Sequence, residues 1–323
     1  MAIKFREKKI LKFSATRDGF GEGLVLAGKK NKKIVVLSAD LTESTRCLPF
    51  KQKFPERFIQ LGVAEQSMAS IAAGLALAGK IPFMTSYAVF SPGRNWEQIR
   101  TNIALQNTNV KIIGSHAGLN VGPDGATHQM LEDIALTRVL PNMTVIVPCD
   151  AEEAKKATMA AAQIIGPVYL RLTREASPVF TNSSTPFKVG RAEIFHKGND
   201  ATIIAAGPIL FEALKAAVNL KQKNGINVQV VNCHTVKPLD EKTILAAAKQ
   251  TGAIVTAEEH MVAGGLGSAV AELLAVNYPV PIEFIGVKDS FGESGKPEEL
   301  MKKYGLTAKD ITAAVLRVIK RKK

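Results

Sequence analysis

The chain has little cysteine, few aromatic residues and no long apolar run, and each shortage disfavours a class of protein. Its three cysteines in 323 residues are odd in number and share no metal-ligand spacing, which argues against a disulfide framework and a zinc cluster. No apolar stretch reaches the roughly 20 residues of a membrane span. The first stretch, MAIKFREKKILKF, lacks the apolar core of a secretory signal. We therefore predict a soluble cytoplasmic protein with no membrane partner.

Acidic residues are scarce relative to basic ones. The formal net charge is +13, with basic clusters at residues 29–33 and 320–323. Nucleic acid is one partner that such a charge attracts, but aromatic residues make up only 6% of the chain and no recognisable nucleic-acid motif occurs. Phosphorylated metabolites or an acidic partner chain would be attracted equally well. We interpret most of the charge as a solvated lysine-rich surface and predict no nucleic-acid partner.

Short apolar runs alternate with helical patterns along the whole chain. This alternation predicts an α/β fold with parallel sheets. A stretch rich in Pro, Ser, Thr and Asn at residues 176–190 is the best linker candidate. We predict two doubly wound domains: a first domain with a parallel sheet over residues 1–187, and a smaller, mainly parallel βα domain over residues 188–323.

The stretch FIQLGVAEQSMASIAAGLALAG, residues 58–79, places a carboxylate between a strand and a helix. A short apolar run leads into Glu65 and then into a helix of mostly small residues, along which another backbone can approach closely. Ligands bind at the carboxyl ends of strands in open α/β sheets, and the helix dipole favours a negative charge at that junction. For Glu65 taken alone, a solvent-facing helix charge is the simpler interpretation.

Further polar and aromatic residues follow the other predicted strands of the first domain. Because the carboxyl ends of parallel strands share one edge of a sheet, we expect these residues to converge. Together they predict a site with an aromatic slot, acid–base groups and an anion clamp. The residues are Asp40, Ser44, Glu65, Tyr87, Phe90, His116, Asp124, His128 and Arg174.

Two features of the second half carry weaker signals. The AGGLG sequence at residues 263–267 resembles a phosphate-cradling loop, but glycines that permit close helix packing are the preferred interpretation. His196 and His234 have no ligand set around them in sequence, so we interpret them as structural. His260 follows two glutamates at a strand end, which makes it a candidate for an interface or the edge of a site, although a structural role is favoured.

A set of motifs in family order resembles the C-terminal half of transketolase, with its pyrimidine-binding and C-terminal domains. The motifs span nearly the whole chain, and as a set they are highly specific. They are SATR, SADLTES, FIQLGVAEQSMASIAAGLA, SHAGLNVGPDGATHQMLEDIALTRVLPNMTV, LRLTREASPVF, KPLD, EEHMVAGGLG and SGKPEEL.

The resemblance implies thiamine diphosphate as cofactor. In this family a glutamate at the position of Glu65 hydrogen-bonds the aminopyrimidine ring and favours the imino tautomer, whose nitrogen removes the thiazolium C2 proton. Tyr87 and Phe90 fall where the family stacks aromatic rings on the pyrimidine, whereas a third aromatic has no clear match around Gly93. Asp40 and Leu41 match positions that contact the cofactor.

The resemblance also assigns the sugar-binding residues. His116, Asp124 and His128 match residues that contact sugar hydroxyls, and a neutral imidazole can accept a hydroxyl proton. The implied catalytic residues are therefore Glu65, His116 and His128. The implied phosphate-binding set is Arg17, Ser44 and Arg174, in which the planar fork of arginine suits a phosphate dianion.

The chain lacks the GDG motif with a following Asn that holds the metal and diphosphate in this family. The resemblance thus implies an N-terminal partner subunit that carries the diphosphate domain and the ligands of Mg²⁺ or Ca²⁺. The implied enzyme is a split transketolase that moves a two-carbon ketol unit between sugar phosphates. We expect a heterotetramer of two such chains and two partners, in which this chain contacts a second copy of itself.

Three alternatives stay open at this stage. The beta subunit of 2-oxoacid dehydrogenases has the same two domains but lacks the SHAG…GPDGATHQ loop in this form. The C-terminal half of 1-deoxyxylulose-5-phosphate synthase resembles the chain around DGATHQ but typically has Arg where His116 stands. A non-catalytic basic binding protein on the same fold is the third; the joint presence of Glu65, Tyr87, His116 and His128 argues against it.

Overall fold

The structure, a computed structural model, describes residues 12–322. The first eleven residues, in which we predict no secretory signal, and Lys323 of the C-terminal basic cluster lie outside the described part. The strands are β1 (Lys12–Ser14), β2 (Ile34–Ser38), β3 (Phe58–Gln60), β4 (Ile81–Tyr87), β5 (Lys111–Ser115), β6 (Thr144–Ile146), β7 (Val168–Arg171), β8 (Ser177–Val179), β9 (Glu193–His196), β10 (Thr202–Ala205), β11 (Gln229–Asn232), β12 (Thr235–Lys237), β13 (Ile254–Met261) and β14 (Ile282–Val287).

Eleven α-helices lie between these strands within residues 12–322. They are α1 (Thr16–Lys30), α2 (Leu48–Lys53), α3 (Glu65–Leu77), α4 (Trp96–Gln98), α5 (Asp133–Arg138), α6 (Ala151–Ala161), α7 (Leu210–Asn224), α8 (Glu241–Thr251), α9 (Leu266–Asn277), α10 (Pro297–Lys303) and α11 (Ala308–Lys320). A π-helical segment, Ile99–Ala104, continues α4, and 3-10 turns occur at Pro55–Arg57 and Leu119–Asp124.

The first unit is a seven-stranded sheet in the order β12-β6-β7-β5-β4-β2-β3. Its strands are parallel except for the edge strand β12, which runs antiparallel to β6. Every residue of β2 and β5 is buried, as expected of parallel strands that helices cover on both faces. The predicted α/β class of the first domain is confirmed.

The second unit is a five-stranded sheet in the order β14-β13-β10-β11-β9. Four strands are parallel, and β9 pairs antiparallel with β11. The predicted smaller, mainly parallel βα domain is therefore confirmed as a fold. The first strand of the second sheet begins at Glu193. A domain boundary at residue 187 lies shortly before that strand and stays a proposal.

Helices α1 and α6 pack at very short range because α1 carries glycine on the contact face. A Cβ added at Gly19 would lie 1.8 Å from the carbonyl oxygen of Ala151, and one added at Gly23 would lie 2.7 Å from that of Lys155. This packing fixes α1 against the sheet and with it the position of Arg17 in its first turn.

The two units share more surface than the sequence indicates. Strand β12 comes from the second half of the chain but extends the first sheet. Nearby, Lys237 Nζ donates to the carbonyl oxygens of Arg138 (2.9 Å) and Leu140 (2.5 Å). The predicted linker also contains a strand, β8, which pairs antiparallel with β1. The sequence pattern missed both strands because each is only three residues long.

Three apolar runs predict longer strands than the structure contains. IPFMTSYAVF and PVYLRLTRE predict strands over residues 81–90 and 167–175, but β4 ends at Tyr87 and β7 at Arg171, so Phe90 lies in a turn and Arg174 in a loop. TVIVPCD predicts a strand that ends at Asp150, but β6 ends at Ile146. Asp150 instead caps α6, since its side chain accepts from the backbone N–H of Glu153.

Candidate active site

Glu65 is the first residue of α3, and its side chain points inward. The residue is 2% exposed, so the solvent-facing interpretation of its charge is wrong. Ser86 Oγ at the end of β4 donates to Glu65 Oε1 (3.3 Å), and Asn95 Nδ2 donates to the Glu65 carbonyl oxygen (3.0 Å). These hydrogen bonds connect the start of α3 to Ser86 and Asn95, the two residues between which Tyr87 and Phe90 lie in sequence.

The aromatic residues form one cluster with both predicted histidines. The rings of Tyr87 and Phe90 are 6.0 Å apart at 18°. Tyr87 also stacks on the imidazole of His116, with centroids 3.8 Å apart, and His128 meets Phe90 edge-on at 5.5 Å. Tyr87, Phe90 and His128 are half-buried, whereas His116 is 2% exposed. The aromatic slot and the acid–base groups are therefore parts of a single cluster.

The tautomer of His116 follows from its two neighbours. Arg17 Nη1 lies 3.2 Å from His116 Nε2, and a guanidinium can only donate, so Nε2 is the acceptor nitrogen. The proton is then on Nδ1, which donates to Ser115 Oγ (2.9 Å). Burial lowers the pKa of His116 to about 3, and the charges of Arg17 and Arg174 act in the same direction. His116 is consequently a neutral imidazole at any physiological pH.

The predicted anion clamp is assembled from two separate elements. Arg17 Nη1 donates to the Ser44 carbonyl oxygen (3.0 Å), and Arg17 Nε is buried without a hydrogen-bond partner among the described residues. Burial lowers the pKa of Arg17, and the positive charge of Arg46 adds to the effect. Arg174 Nη1 donates to the Val121 carbonyl oxygen (2.8 Å) and lies 3.3 Å from Asp124 Oδ1.

Asp40 and Leu41 lie in the turn after β2, beside Ser44. Asp40 has a positive φ of 60° and exchanges hydrogen bonds with Gln60. Leu41 N donates to Ser38 Oγ (3.3 Å). Together with Ser44 they line an open pocket of about 310 Å³. No hydrogen bond within the described residues links Asp40 or Leu41 to Glu65, Tyr87 or Phe90, so their assignment to the cofactor stays a prediction.

Comparisons with known proteins identify the family. Residues 13–179 match the family model of the transketolase pyrimidine-binding domain, and residues 190–311 match that of the transketolase C-terminal domain. The chain belongs to the transketolase family.

The relatives cover nearly the whole chain. A protein of Methanocaldococcus jannaschii, provisionally named a transketolase C-terminal section, is 44% identical over 96% of this chain and 98% of its own length. A 6-deoxy-6-sulfo-D-fructose transketolase subunit of Clostridium sp. is 42% identical over 95% of each chain. A solved structure described as a split-gene transketolase, in an inactive β4 tetramer, is 48% identical with a TM-score of 0.90, over 96% of this chain and 99% of that one.

The turn at Gly93, where the resemblance finds no match for a third aromatic, leaves no room for a side chain. A Cβ added at Gly93 would lie 2.0 Å from the carbonyl oxygen of Val89, so this turn admits no side chain at that position without a backbone shift. Gly93 N in turn donates to the Ala88 carbonyl oxygen (3.2 Å). The half-buried rings next to this turn are Tyr87 and Phe90.

The backbone N–H groups at the end of the AGGLG loop bind the side chain of Glu258. Glu258 is 2% exposed, and its carboxylate accepts from the backbone N–H groups of Leu266 (2.7 Å) and Gly267 (2.8 Å) at the start of α9. A Cβ added at Gly265 would lie 2.1 Å from Glu258 Oε2. The preferred interpretation, glycine for close packing, is confirmed.

His234 and His260 in the second half and all three cysteines are buried. His260 Nδ1 donates to the Met261 carbonyl oxygen (2.7 Å), and burial lowers the pKa of His260 to about 4. His234 stacks on Phe187 at 4.3 Å. The three cysteines are free and buried, and burial raises the pKa of the Cys47 thiol to about 11 and that of Cys233 to about 12.

Sequence reasoning missed the residues that support the site. Ser86, Asn95, Ser115 and Asn120 are all buried and bond to site residues or their loops. Ser86 and Ser115 could have been found, since each directly precedes a predicted site residue at a strand end. Asn95 and Asn120 carry no local signal because their partners are 30 and 54 residues away in sequence.

Across residues 12–322, no three His, Cys, Asp or Glu side chains converge in a way that could hold a metal ion. Over the same part of the chain, each helix is too short or too polar to span a membrane.

Proposed function

We propose that this chain is the C-terminal subunit of a two-subunit transketolase. It would transfer a two-carbon ketol unit from a ketose phosphate to an aldose phosphate with thiamine diphosphate as cofactor. One observation carries the proposal: the buried Glu65, the Tyr87–Phe90 pair and the neutral, Arg17-bound His116 meet at one edge of a parallel sheet. The likeness to split-gene and two-subunit relatives supports the same conclusion.

The residues on this chain fit the pyrimidine half of the cofactor. A carboxylate has about four acceptor sites, so Glu65 can accept from a ring nitrogen as well as from Ser86. The half-buried faces of Tyr87 and Phe90 offer apolar surface for a flat ring beside that carboxylate. When bound, thiamine diphosphate supplies the nucleophilic carbon and the electron sink for carbon–carbon cleavage.

His116 would accept a sugar hydroxyl proton. Its Nε2 is the nitrogen that carries the lone pair, and Ser115 holds the ring in that tautomer through Nδ1. A general base must be unprotonated to act. Burial and the charges of Arg17 and Arg174 lower the pKa of His116 to about 3, and a phosphate dianion bound to the two arginines would offset their charges and raise the proton affinity of the ring. His128, edge-on to the same aromatic rings, would contact the sugar beside it.

Arg17 and Arg174 would bind the substrate phosphate. Burial lowers the pKa of Arg17, and the charge of Arg174 acts in the same direction; a dianion between the two guanidinium groups would offset that repulsion. Arg17 Nε is a buried donor with no hydrogen-bond partner within residues 12–322, and a phosphate oxygen would supply one. Asp124, which lies 3.3 Å from Arg174, would orient the guanidinium and contact a sugar hydroxyl.

The diphosphate and its metal ion would be held by a second chain. The present sequence contains no GDG motif. Helix α3, which begins at Glu65, and the turn before it expose apolar side chains. In the turn Val63 is 80% exposed, and in the helix Ile71 is 40% and Leu77 70% exposed. We propose that this apolar face is covered in a heterotetramer of two copies of this chain and two N-terminal subunits.

The experiment that tests this function compares the chain alone with the chain co-purified with a protein of the same genome that carries GDG and a downstream Asn. The expected result is ketol transfer between sugar phosphates by the complex and none by the chain alone, with both proteins at the same thiamine diphosphate and Mg²⁺ concentrations. Robust turnover by the single chain would refute the split-subunit proposal. A stable complex that turns over no ketose phosphate would refute the transketolase proposal.

Replacing Arg174 by Ala tests the phosphate clamp. Loss of a charge-assisted contact should cost on the order of 1.5–3 kcal/mol, which is a rise in KM of about 10-fold to 100-fold. The rise is expected for phosphorylated sugars and not for their unphosphorylated analogues. Arg174→Lys is the matched control, because it keeps the charge and should lose less. Equal effects on both kinds of sugar would show that Arg174 is structural.

A further inference from the structure

The loop between β5 and α5 carries three of the proposed substrate contacts but has little regular structure of its own. It holds His116, Asp124 and His128, and its regular pairing consists of the isolated bridge between Ala117 and Met130. The loop includes His116 at φ 57° and three glycines at positive φ, Gly118, Gly122 and Gly125. The glycines adopt this conformation freely, whereas His116 is held in it by Arg17, Ser115 and Tyr87 of the first domain. The C-terminal domain supplies further contacts to the loop backbone.

Glu259 of β13 reaches from the C-terminal domain into this loop. The residue is 3% exposed, and its Oε1 accepts from the backbone N–H of Asn120 at 2.7 Å. A Cβ added at Gly118 would lie 2.3 Å from the same oxygen. Glycine at this position is therefore what lets the carboxylate approach the loop backbone.

Asn120, which is bound to Glu259, in turn positions Arg174 of the proposed phosphate-binding set. Asn120 is 8% exposed, and its Oδ1 accepts from the backbone N–H groups of Arg174 (3.3 Å) and Glu175 (3.4 Å). The next residue, Val121, accepts from Arg174 Nη1 (2.8 Å). Hydrogen bonds thus run from Glu259 through Asn120 to the backbone of Arg174, and Val121, the next residue of the same loop, binds the Arg174 side chain.

A second part of the C-terminal domain grips the other side of the loop. Gln129 Nε2, in a residue that is 4% exposed, donates to the carbonyl oxygens of Leu119 (3.3 Å), Gly122 (3.2 Å) and Glu293 (2.9 Å). Added Cβ atoms at Gly122 and Gly125 would meet Pro297 at 3.0 Å and Ser294 at 2.5 Å. The segment 292–297 therefore presses on the loop while Glu259 holds its start.

We propose that Glu259 is a positioning residue of the active site: through its bond to Asn120, the C-terminal domain sets the loop that carries His116 and Asp124 and fixes Arg174. The holding of the loop is a property of this chain alone. Its effect on sugar-phosphate binding rests on the function proposed above. Glu259 acts through the loop backbone at Asn120 and is not among the residues proposed above to contact substrate or cofactor.

The test compares Glu259→Ala with Glu258→Ala in the full chain and in the complex. Glu258 is the matched control, because it is an equally buried carboxylate on the same strand whose bonds go to α9 and not to the loop. Glu259→Ala should raise the amide hydrogen exchange of the peptide containing residues 118–121 by up to about 10-fold, as the loss of one hydrogen bond predicts. Glu258→Ala should leave that exchange unchanged.

In the complex, Glu259→Ala should raise the KM for sugar phosphates about 10-fold with a smaller change in kcat, as loss of one positioning bond predicts. Glu259→Gln keeps an acceptor oxygen and should restore most of the affinity. Exchange of the cofactor C2 proton should not change, since Glu65 lies outside the loop. If Glu259→Ala fails to fold, Asn120→Ala removes the same link one bond later and should also raise KM.

Unaltered loop exchange in Glu259→Ala would overturn the proposal whatever the activity. Equal rises in KM for Glu258→Ala and Glu259→Ala would also overturn it, because both would then report general destabilisation. Failure of the proposed function has a different signature: wild-type complexes would show no ketol transfer, while the exchange measurement on the chain alone would still decide whether Glu259 holds the loop.

Discussion

Glu65→Gln should lower the turnover of the assembled enzyme by about 10²-fold to 10⁴-fold, the range of a lost acid–base contribution. Glutamine has nearly the same shape, and its Oε1 can still accept from Ser86 Oγ, which lies 3.3 Å from the carboxylate in the present structure. Packing at the start of α3 should therefore survive. What is lost is a group that can exchange a proton with the ring nitrogen of the aminopyrimidine.

The effect on folding should be small by comparison. One charge at a helix N-terminus contributes about 0.3–1 kcal/mol when exposed and up to ~2 kcal/mol when partly buried, which is less than the expected change in the activation barrier. A mutation that acted by unfolding would also disrupt assembly with the partner, whereas Glu65→Gln should leave the complex intact.

Two measurements check this prediction: steady-state turnover, and hydrogen–deuterium exchange at the cofactor C2 in the complex. Glu241→Gln is the matched control, since Glu241 is likewise the first residue of a helix, α8, but is exposed and lies in the other unit. It should be silent in both assays. Exchange of the cofactor C2 proton at the wild-type rate in Glu65→Gln would contradict the proposed role of Glu65 in cofactor activation.

Asp133→Ala should cost about 3–5 kcal/mol of stability, because it leaves a buried charge without its partner. Asp133 is fully buried, and its Oδ2 accepts from Tyr169 Oη (2.6 Å) and from Arg171 Nε (2.8 Å). Arg171 is 3% exposed and also donates to the Glu259 carbonyl oxygen (2.8 Å). Removal of the Asp133 carboxylate leaves the Arg171 guanidinium buried between the two units without a counter-charge.

Denaturant unfolding of the full chain at pH 7 measures the effect. Asp133→Asn is the matched variant, since it keeps the volume and one acceptor but removes the charge, and it should fall between wild type and Asp133→Ala. A double change, Asp133→Leu with Arg171→Met, should recover much of the loss because no unpaired charge remains. A shift of less than about 0.5 kcal/mol in Asp133→Ala, the range of ordinary surface substitutions, would contradict the interpretation.

Much of the site could be predicted because its residues sit where a strand ends. Parallel strands bring their carboxyl ends to one edge, so the sequence predicts that Glu65, Tyr87 and His116 lie close together. Their contacts with Ser86, Arg17 and one another agree with that expectation. Their chemical roles stay predictions until the substitutions above are measured.

Pairings between the two units could not be predicted. Strand β12 is three residues long and adds to a sheet made from the other half of the chain. Glu259 holds Asn120 across 139 residues of sequence. Periodicity reports which face of one element is buried, but it carries no information about which distant backbone group a buried carboxylate will meet.

The sequence by itself determined the fold class, the family and the sheet edge at which the site lies, because hydrophobic alternation and motif order are local properties of the chain. The tertiary structure alone decided three other features. Glu65 points inward, His116 is neutral, and the C-terminal domain holds the loop beside them. Each depends on burial and on partners brought from far along the chain, and desolvation exists only once the chain has packed.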